Sequence, residues 1–259
     1  MSLPPLGQAR ATRLRRLQQR RHREENGLFL AEGVRVVEDL LASSLAVDSA
    51  VVAPSLEDTE RGLALLDRLL ARCPVERATE AELRSLADAQ TPQGVVAVAR
   101  TPHHDLSALP VREGLLLVLD GVQDPGNFGT LVRGADAFGA LAVVALPGTV
   151  DPWNAKTVRA AAGASFRVPL VPATVAALGE WSAAAGVALW GAEAAGRDVA
   201  SLVRPERLAL VLGNEGAGLS PAVRDLLAAR VAIPIRGAAD SLNVAMAGTV
   251  LLYLLTAAR

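Results

Sequence analysis

Aromatic side chains are nearly missing from this sequence: four Phe, three Trp and one Tyr make up 3% of 259 residues. A surface that holds single-stranded nucleic acid by stacking bases on rings needs such residues in numbers. Any nucleic-acid contact here must therefore rest on arginine and backbone groups. Cysteine occurs once, as Cys73, and histidine three times. One cysteine closes no intramolecular disulfide, and this set cannot furnish a Cys/His zinc cluster, so no metal is expected and a reducing cytoplasm fits. Cys73 reads as a small hydrophobe. Met1–Leu6 leads into arginines without the apolar stretch of a secretory signal, so export is not expected. The longest uncharged run, Ser241–Ala258, is interrupted by Ser241, Asn243, Gly248 and Thr249. It reads as a buried C-terminal helix and not as a membrane span.

Net charge is also nearly absent, at −1 from 26 basic and 27 acidic residues. The balance conceals an asymmetry. Residues 1–23 hold Arg10, Arg13, Arg15, Arg16, Arg20, Arg21 and Arg23 and no acid. Arg10, Arg13, Arg16, Arg20 and Arg23 recur at three- and four-residue steps, so a single helix would align them as one stripe with Leu14 and Leu17 elsewhere on its surface. Such a stripe is a phosphate-facing arm or a solvated helix face.

What the sequence has in quantity is apolar residue, 51% of the total, enough for packed cores in one large or two modest domains. Short apolar strands alternate with helical stretches at Phe29–Glu32, Ala50–Ala53, Val75–Arg77 and Val95–Ala99. This predicts a small α/β unit over 1–100. Residues 101–114 carry Pro102, Pro110 and Gly114 and read as a linker. A second series follows over 115–259, with strands expected at Leu115–Leu119, Ala142–Leu146, Arg167–Val171, Val187–Leu189, Leu208–Leu212 and Val231–Pro234. Continuous apolar runs imply strands covered on both faces, hence a mostly parallel sheet. Ligands of such sheets sit beyond the carboxyl ends of the strands, which directs attention to Asp120–Gly129, Gly213–Gly218 and Pro234–Asn243.

The first of these loops turns at Asp124-Pro125-Gly126, with Asn127 placed to cap a helix and Arg133 six residues on. The second spaces its glycines as Gly213-x-x-Gly216-x-Gly218 around Asn214 and Glu215. That is neither a Walker loop nor a dinucleotide turn, and Glu215 would repel a pyrophosphate, which argues against a nicotinamide dehydrogenase. The third, Ile233-Pro234-Ile235-Arg236 through Ser241-Leu242-Asn243, offers Ser241 as the cap of an apolar helix.

In order, spacing and placement after strands, the three segments resemble the motifs of the SpoU/TrmH family of SPOUT RNA ribose 2'-O-methyltransferases. Lys156-Thr-Val-Arg159-Ala-Ala161-Ala-Gly163-Ala164 is similar to that family's Lys-x-x-Arg-x-Ser-x-Gly-Ala stretch, with Ala161 where serine is common. Phe29-Leu-Ala-Glu32-Gly33-Val-Arg35 looks like the start of the family's substrate-binding domain, a relative of RNA-binding ribosomal proteins. The resemblance implies a deep C-terminal trefoil knot, S-adenosylmethionine as cofactor and a homodimer. Gly213, Ile233 and Leu242 would hold the cofactor through backbone groups, with Asn214, Gly216, Gly218 and Pro234 in the same loops. Asn127, Arg133, Glu215, Ser241 and Asn243 would form the reacting end, and Arg35 would join the N-terminal arginines on RNA. An accessory domain ahead of the catalytic one favours ribosomal over transfer RNA. A base methyltransferase and a non-catalytic RNA-binding or ribosome-assembly protein are the competing readings.

Overall fold

The computed structural model describes residues 3–109 and 113–257. In chain order the elements are α1 (Gln8–Arg16), α2 (Arg20–Asn26), β1 (Leu28–Glu32), α3 (Val34–Ala42), β2 (Val47–Val52), α4 (Glu60–Leu70), β3 (Val75–Arg77), α5 (Glu80–Leu86) and β4 (Val95–Arg100). There follow β5 (Gly114–Asp120), α6 (Pro125–Ala137), β6 (Val143–Ala145), α7 (Ala155–Ala161), β7 (Leu170–Pro172), α8 (Val175–Ala185), β8 (Ala188–Asp198), β9 (Arg207–Gly213), α9 (Pro221–Arg224), β10 (Ala229–Ala232) and α10 (Val244–Ala257). The chain forms two compact units. One holds residues 1–102 and 151–166, the other 103–150 and 167–259.

The first unit is built on a four-stranded sheet in the order β1-β4-β2-β3, with only the β2–β3 pair parallel. Its helices begin where local chemistry dictates. Thr59 caps α4 by accepting from the Gly62 amide, and Thr79 and Glu82 close a reciprocal capping box on α5. The arginine stripe does not form one helix. The chain breaks at Leu17–Gln19 because Leu6, Ala11, Leu14 and Leu17 all bury into a core with Leu83, Leu86 and Val98. Apolar burial of about 1.5–3 kcal/mol per large side chain outweighs continuing the helix. The arginines consequently divide. Arg23 is 5% exposed and ion-paired to Asp151, with its Nη1 donating 2.7 Å to the Leu17 carbonyl. Arg10 pairs with Glu76, and Arg20 pairs with Glu24. Arg13 and Arg16 stay exposed. Residues 151–166 complete this unit, with Trp153 stacked 4.6 Å from Phe29.

The second unit is a six-stranded sheet in the order β10-β8-β9-β5-β6-β7, and every neighbouring pair is parallel. β5 and β9 are buried along nearly their whole length, as their unbroken apolar runs require. Several boundaries depart from expectation. β7 starts at Leu170 instead of Arg167, and β8 extends to Asp198 because its later half pairs with β10 across a register shift at Arg230/Val231. Part of the expected linker is core: Leu106 and Leu109 are buried with Val118 and Val144. Its residues 110–112 lie outside the described residues. α10 packs against α6 through Ala245, Gly248, Leu252 and Gly134. It buries one face only, leaving Met246, Val250, Tyr253 and Leu254 exposed, where a fully buried helix had been expected. No helix among the described residues is long and apolar enough to cross a membrane.

Candidate active site

Strand order reverses at β5 and β9, where the sheet runs outward in both directions from neighbours far apart in sequence. The crevice at such a point is where α/β sheets take ligands. Both strands end in groups that fix the loops beyond them. The Asp120 carboxylate, 6% exposed, accepts from the Ser220 amide at 2.6 Å. Asn214 donates from Nδ2 to the Gly121 carbonyl at 2.8 Å and accepts the Gly216 and Ala217 amides on Oδ1, each at 2.9 Å. Asn214 and Gly218 then exchange two backbone bonds, closing a tight hairpin. At Gly213 this hairpin leaves no room for a side chain. A Cβ would lie 2.5 Å from both the Gly218 carbonyl oxygen and the Leu219 nitrogen.

The three loops meet in a short polar chain. Asn243 donates from Nδ2 to Asn127 Oδ1 at 3.1 Å, and Asn127 donates from Nδ2 to Glu215 Oε1 at 3.0 Å. Glu215 also accepts the Gln123 and Asp124 amides at 3.3 Å each. Burial pushes the Glu215 carboxyl upward, but the Asn127 amide and the surrounding backbone N–H groups outweigh it and hold its pKa below the usual glutamate value. Glu215 is therefore an ionised acceptor at neutral pH. The expected capping roles shift by a few residues. Asp124, not Asn127, caps α6, accepting the Asn127 amide at 2.8 Å and freeing the Asn127 side chain for Glu215. Asn243, not Ser241, caps α10 by accepting the Ala245 amide at 2.9 Å.

A cavity of about 370 Å³ opens beside this chain. It is lined by Gly213, Asn214, Glu215, Gly218, Ile233, Ser241, Leu242 and Asn243 among the expected residues. Gly216, Pro234, Asn127 and Arg133 are not part of its lining. Arg133 is exposed on α6, and no hydrogen bond or ion pair to its guanidinium is found among the described residues. Sequence reasoning missed Glu193, Val244, Ala247 and Leu251, which also line the cavity. The helical residues could have been found from the period of α10. Glu193, held by Arg224 at 2.7 Å and Arg230 at 3.3 Å, carries no local signal. No group of three or more metal-ligating side chains is found among the described residues.

Residues 114–253, more than half of the chain, match the SpoU rRNA Methylase family. The chain belongs to this family. Residues 9–97 match the MRM3-like substrate binding domain. Among curated relatives, the chain is 34% identical over 243 residues to the 23S rRNA (guanosine(2553)-2'-O)-methyltransferase RlmP of Bacillus subtilis, covering 92% of each. It is 36% identical over 247 residues to the 23S rRNA (uridine(2479)-2'-O)-methyltransferase of Streptomyces viridochromogenes, covering 90% of this chain and 84% of that one. Among solved structures, the family member AviRb of Streptomyces viridochromogenes in complex with AdoMet superposes with a TM-score of 0.88 at 32% identity, covering 98% of both chains. The AdoMet-bound rRNA methyltransferase of Sinorhizobium meliloti gives 0.84 at 31% identity, covering 97% of this chain and 95% of that one.

Proposed function

We propose that this protein transfers the methyl group of S-adenosylmethionine to a ribose 2'-hydroxyl of RNA, and of ribosomal RNA in particular. The observation that carries the reading is the junction of the three motif loops: the Asn243–Asn127–Glu215 chain sits at the rim of a cavity that is walled by backbone at Gly213. The activities of the relatives, both on 23S ribosomal RNA, support the same substrate class. The residues present fit the cofactor. The volume lies within the range of about 300–1,000 Å³ typical of small-molecule sites. Leu212, Ile233, Leu242 and Leu251 supply an apolar bed, and Gly213 allows backbone to approach closely. Bound there, S-adenosylmethionine supplies an electrophilic methyl on a sulfonium.

The protein's own residues must align the ribose oxygen and stabilise the charge that develops on it. Arg133, unpaired and exposed, supplies that positive charge. A guanidinium with a pKa above about 12 stays protonated, so it stabilises an alkoxide and does not abstract the proton. Asn127 has its Oδ1 and Nδ2 fixed by Asn243 and Glu215 and orients the substrate side. Ser241 and Asn243 shape the boundary between cofactor and ribose.

Within this reading the first unit docks RNA, and the second unit is where the deep trefoil knot implied by the family resemblance would lie. The exposed apolar stripe of Met246, Val250, Tyr253 and Leu254 supports a homodimer formed through α10. A cytoplasmic location is part of the same reading, supported by the bacterial 23S ribosomal RNA relative.

The test is incubation with methyl-labelled S-adenosylmethionine and separate unmodified ribosomal and transfer RNA pools, followed by nucleoside analysis. Label is expected as a 2'-O-methylnucleoside from ribosomal RNA. The Arg133→Ala protein should bind the cofactor normally and transfer no methyl. Label on a base, or full turnover by Arg133→Ala, would overturn the assignment. Failure of the wild-type protein to bind the cofactor would favour a non-catalytic RNA-binding role.

A further inference from the structure

The Lys156–Ala164 stretch is not used by the methyl-transfer site, although the sequence marks it as strongly as the three loops. It belongs to the first unit, where it walls a second cavity of about 260 Å³. That volume falls just below the usual range for drug-sized ligands and suits a single nucleotide group. The floor is apolar, formed by Val36, Ala87, Pro92, Val95 and Ala162. Its polar groups are built with care. Glu32, 4% exposed, accepts the Asp88 amide at 2.6 Å, the Ala89 amide at 3.1 Å and Arg159 Nη1 at 3.1 Å. Arg159 Nη2 donates to the Asp88 carboxylate at 3.2 Å. The Arg159 guanidinium is thereby fixed by two carboxylates while remaining 38% exposed.

Two further features lie at this cavity. Ala162 is the only non-glycine residue with positive φ among the described residues, at φ 45° and ψ 55°. Ala162 ends α7 in the left-handed conformation common at helix C-caps, here carried by a residue with a side chain and placed against the cavity. Arg35 stands exposed at the cavity edge in the first turn of α3, whose leading amide, that of Val34, is capped only from outside, by Gln93 Oε1 at 2.9 Å. A cation beside a helix N-terminus favours phosphate.

We infer that this cavity captures one unstacked nucleotide of the RNA substrate, its base between the apolar floor and the fixed Arg159 guanidinium and its phosphate on Arg35. The planar guanidinium takes the stacking role that rings play elsewhere, in a protein with almost no rings to spare. The inference rests on the RNA-methyltransferase reading and adds a docking site within the first unit, built partly from a segment outside residues 9–97.

The experiment uses the full chain and in vitro transcribed 23S ribosomal RNA carrying 4-thiouridine. Irradiation should crosslink RNA to peptides spanning residues 32–36, 87–95 or 156–163. Ala89→Trp, which fills the cavity, should raise KM for RNA by about 5- to 160-fold, the range for losing one stacked base, and Arg35→Ala, which removes the phosphate contact, should also raise it. Maximal turnover at saturating RNA and cofactor affinity should stay at wild-type values. Crosslinks confined to other peptides, with wild-type KM in both variants, would overturn the inference. A crosslink here with no methyl transfer would leave the pocket standing and the reaction reading fallen. Methyl transfer with no effect of either variant would do the reverse.

Discussion

Gly213 gives the most direct test of how the site is constructed. In Gly213→Ala the added methyl must enter the hairpin closed by Asn214 and Gly218, 2.5 Å from the Gly218 oxygen and 2.5 Å from the Leu219 nitrogen. Both obstacles are backbone, so no side-chain rotation relieves the overlap. The hairpin must open or β9 must shift out of register with β5. Overpacking of this kind costs about 1–3 kcal/mol, and the rigid surroundings place it at about 3 kcal/mol. At about 2–4 °C per kcal/mol for a protein of this size, Tm should fall by about 6–12 °C. Because Gly213 also lines the cavity, cofactor affinity should drop by at least about tenfold, a loss of roughly 1.4 kcal/mol. Gly216 is the control. Its nearest foreign atom, Asn214 Oδ1, would sit 3.7 Å from a Cβ, so Gly216→Ala should move Tm by no more than about 2 °C. Calorimetric unfolding and titration with S-adenosylmethionine read both quantities. Equal responses from the two glycines would refute the argument from backbone crowding.

Glu215 yields a pH prediction with a definite sign. Its carboxyl is held below the ordinary glutamate value, so its contribution to stability is complete above that value, near pH 4.3, and is lost as pH falls through the depressed folded pKa. Glu215→Gln should lower the urea midpoint at pH 7 and flatten its decline as pH falls below the ordinary glutamate value. Parallel profiles for the two proteins would remove Glu215 from the account. For the dimer, sedimentation should give twice the 26.9 kDa chain mass. Val250→Glu with Tyr253→Glu should return the protein to a monomer with unchanged circular dichroism, and a persistent dimer would exclude the α10 face.

The sequence exposed the architecture wherever burial is two-sided. β5 and β9 are continuous apolar runs because both faces are covered, and their positions were legible to within a residue or two. β8 was legible only at its start, since residues past Gly191 mix alanine, glycine and charge and owe their extended form to pairing with β10. The N-terminal arginine period was real as a pattern but misleading as a structure. It carried no information about Leu14 and Leu17 being drawn into a core with α5, which breaks the helix and turns Arg23 inward to Asp151. At the candidate site, the loops that line the cavity were legible from their motifs. Local roles were not, because Asp124 and Asn127, or Ser241 and Asn243, are equally good caps by composition. Only the distance from Asn127 to Glu215, 88 positions away in the chain, decides which side chain is released.

The pairing of β5 with β9 has a temporal consequence. Leu117 lies opposite Leu210, so 93 residues separate partners at the centre of the sheet. At about 5–20 residues per second of synthesis, β5 waits roughly 5–20 s after emerging before its neighbour exists. During that interval one edge of a fully apolar strand is open to any other extended chain. The protein therefore passes through a vulnerable stage as it is made, and non-local pairing of this kind is intrinsically slow even afterwards. The cavity walls come from β8, β9, β10 and α10, all made after β5. A small molecule that recognises this cavity can stabilise only a chain that has completed its last helix, and so acts as a reporter of finished folding.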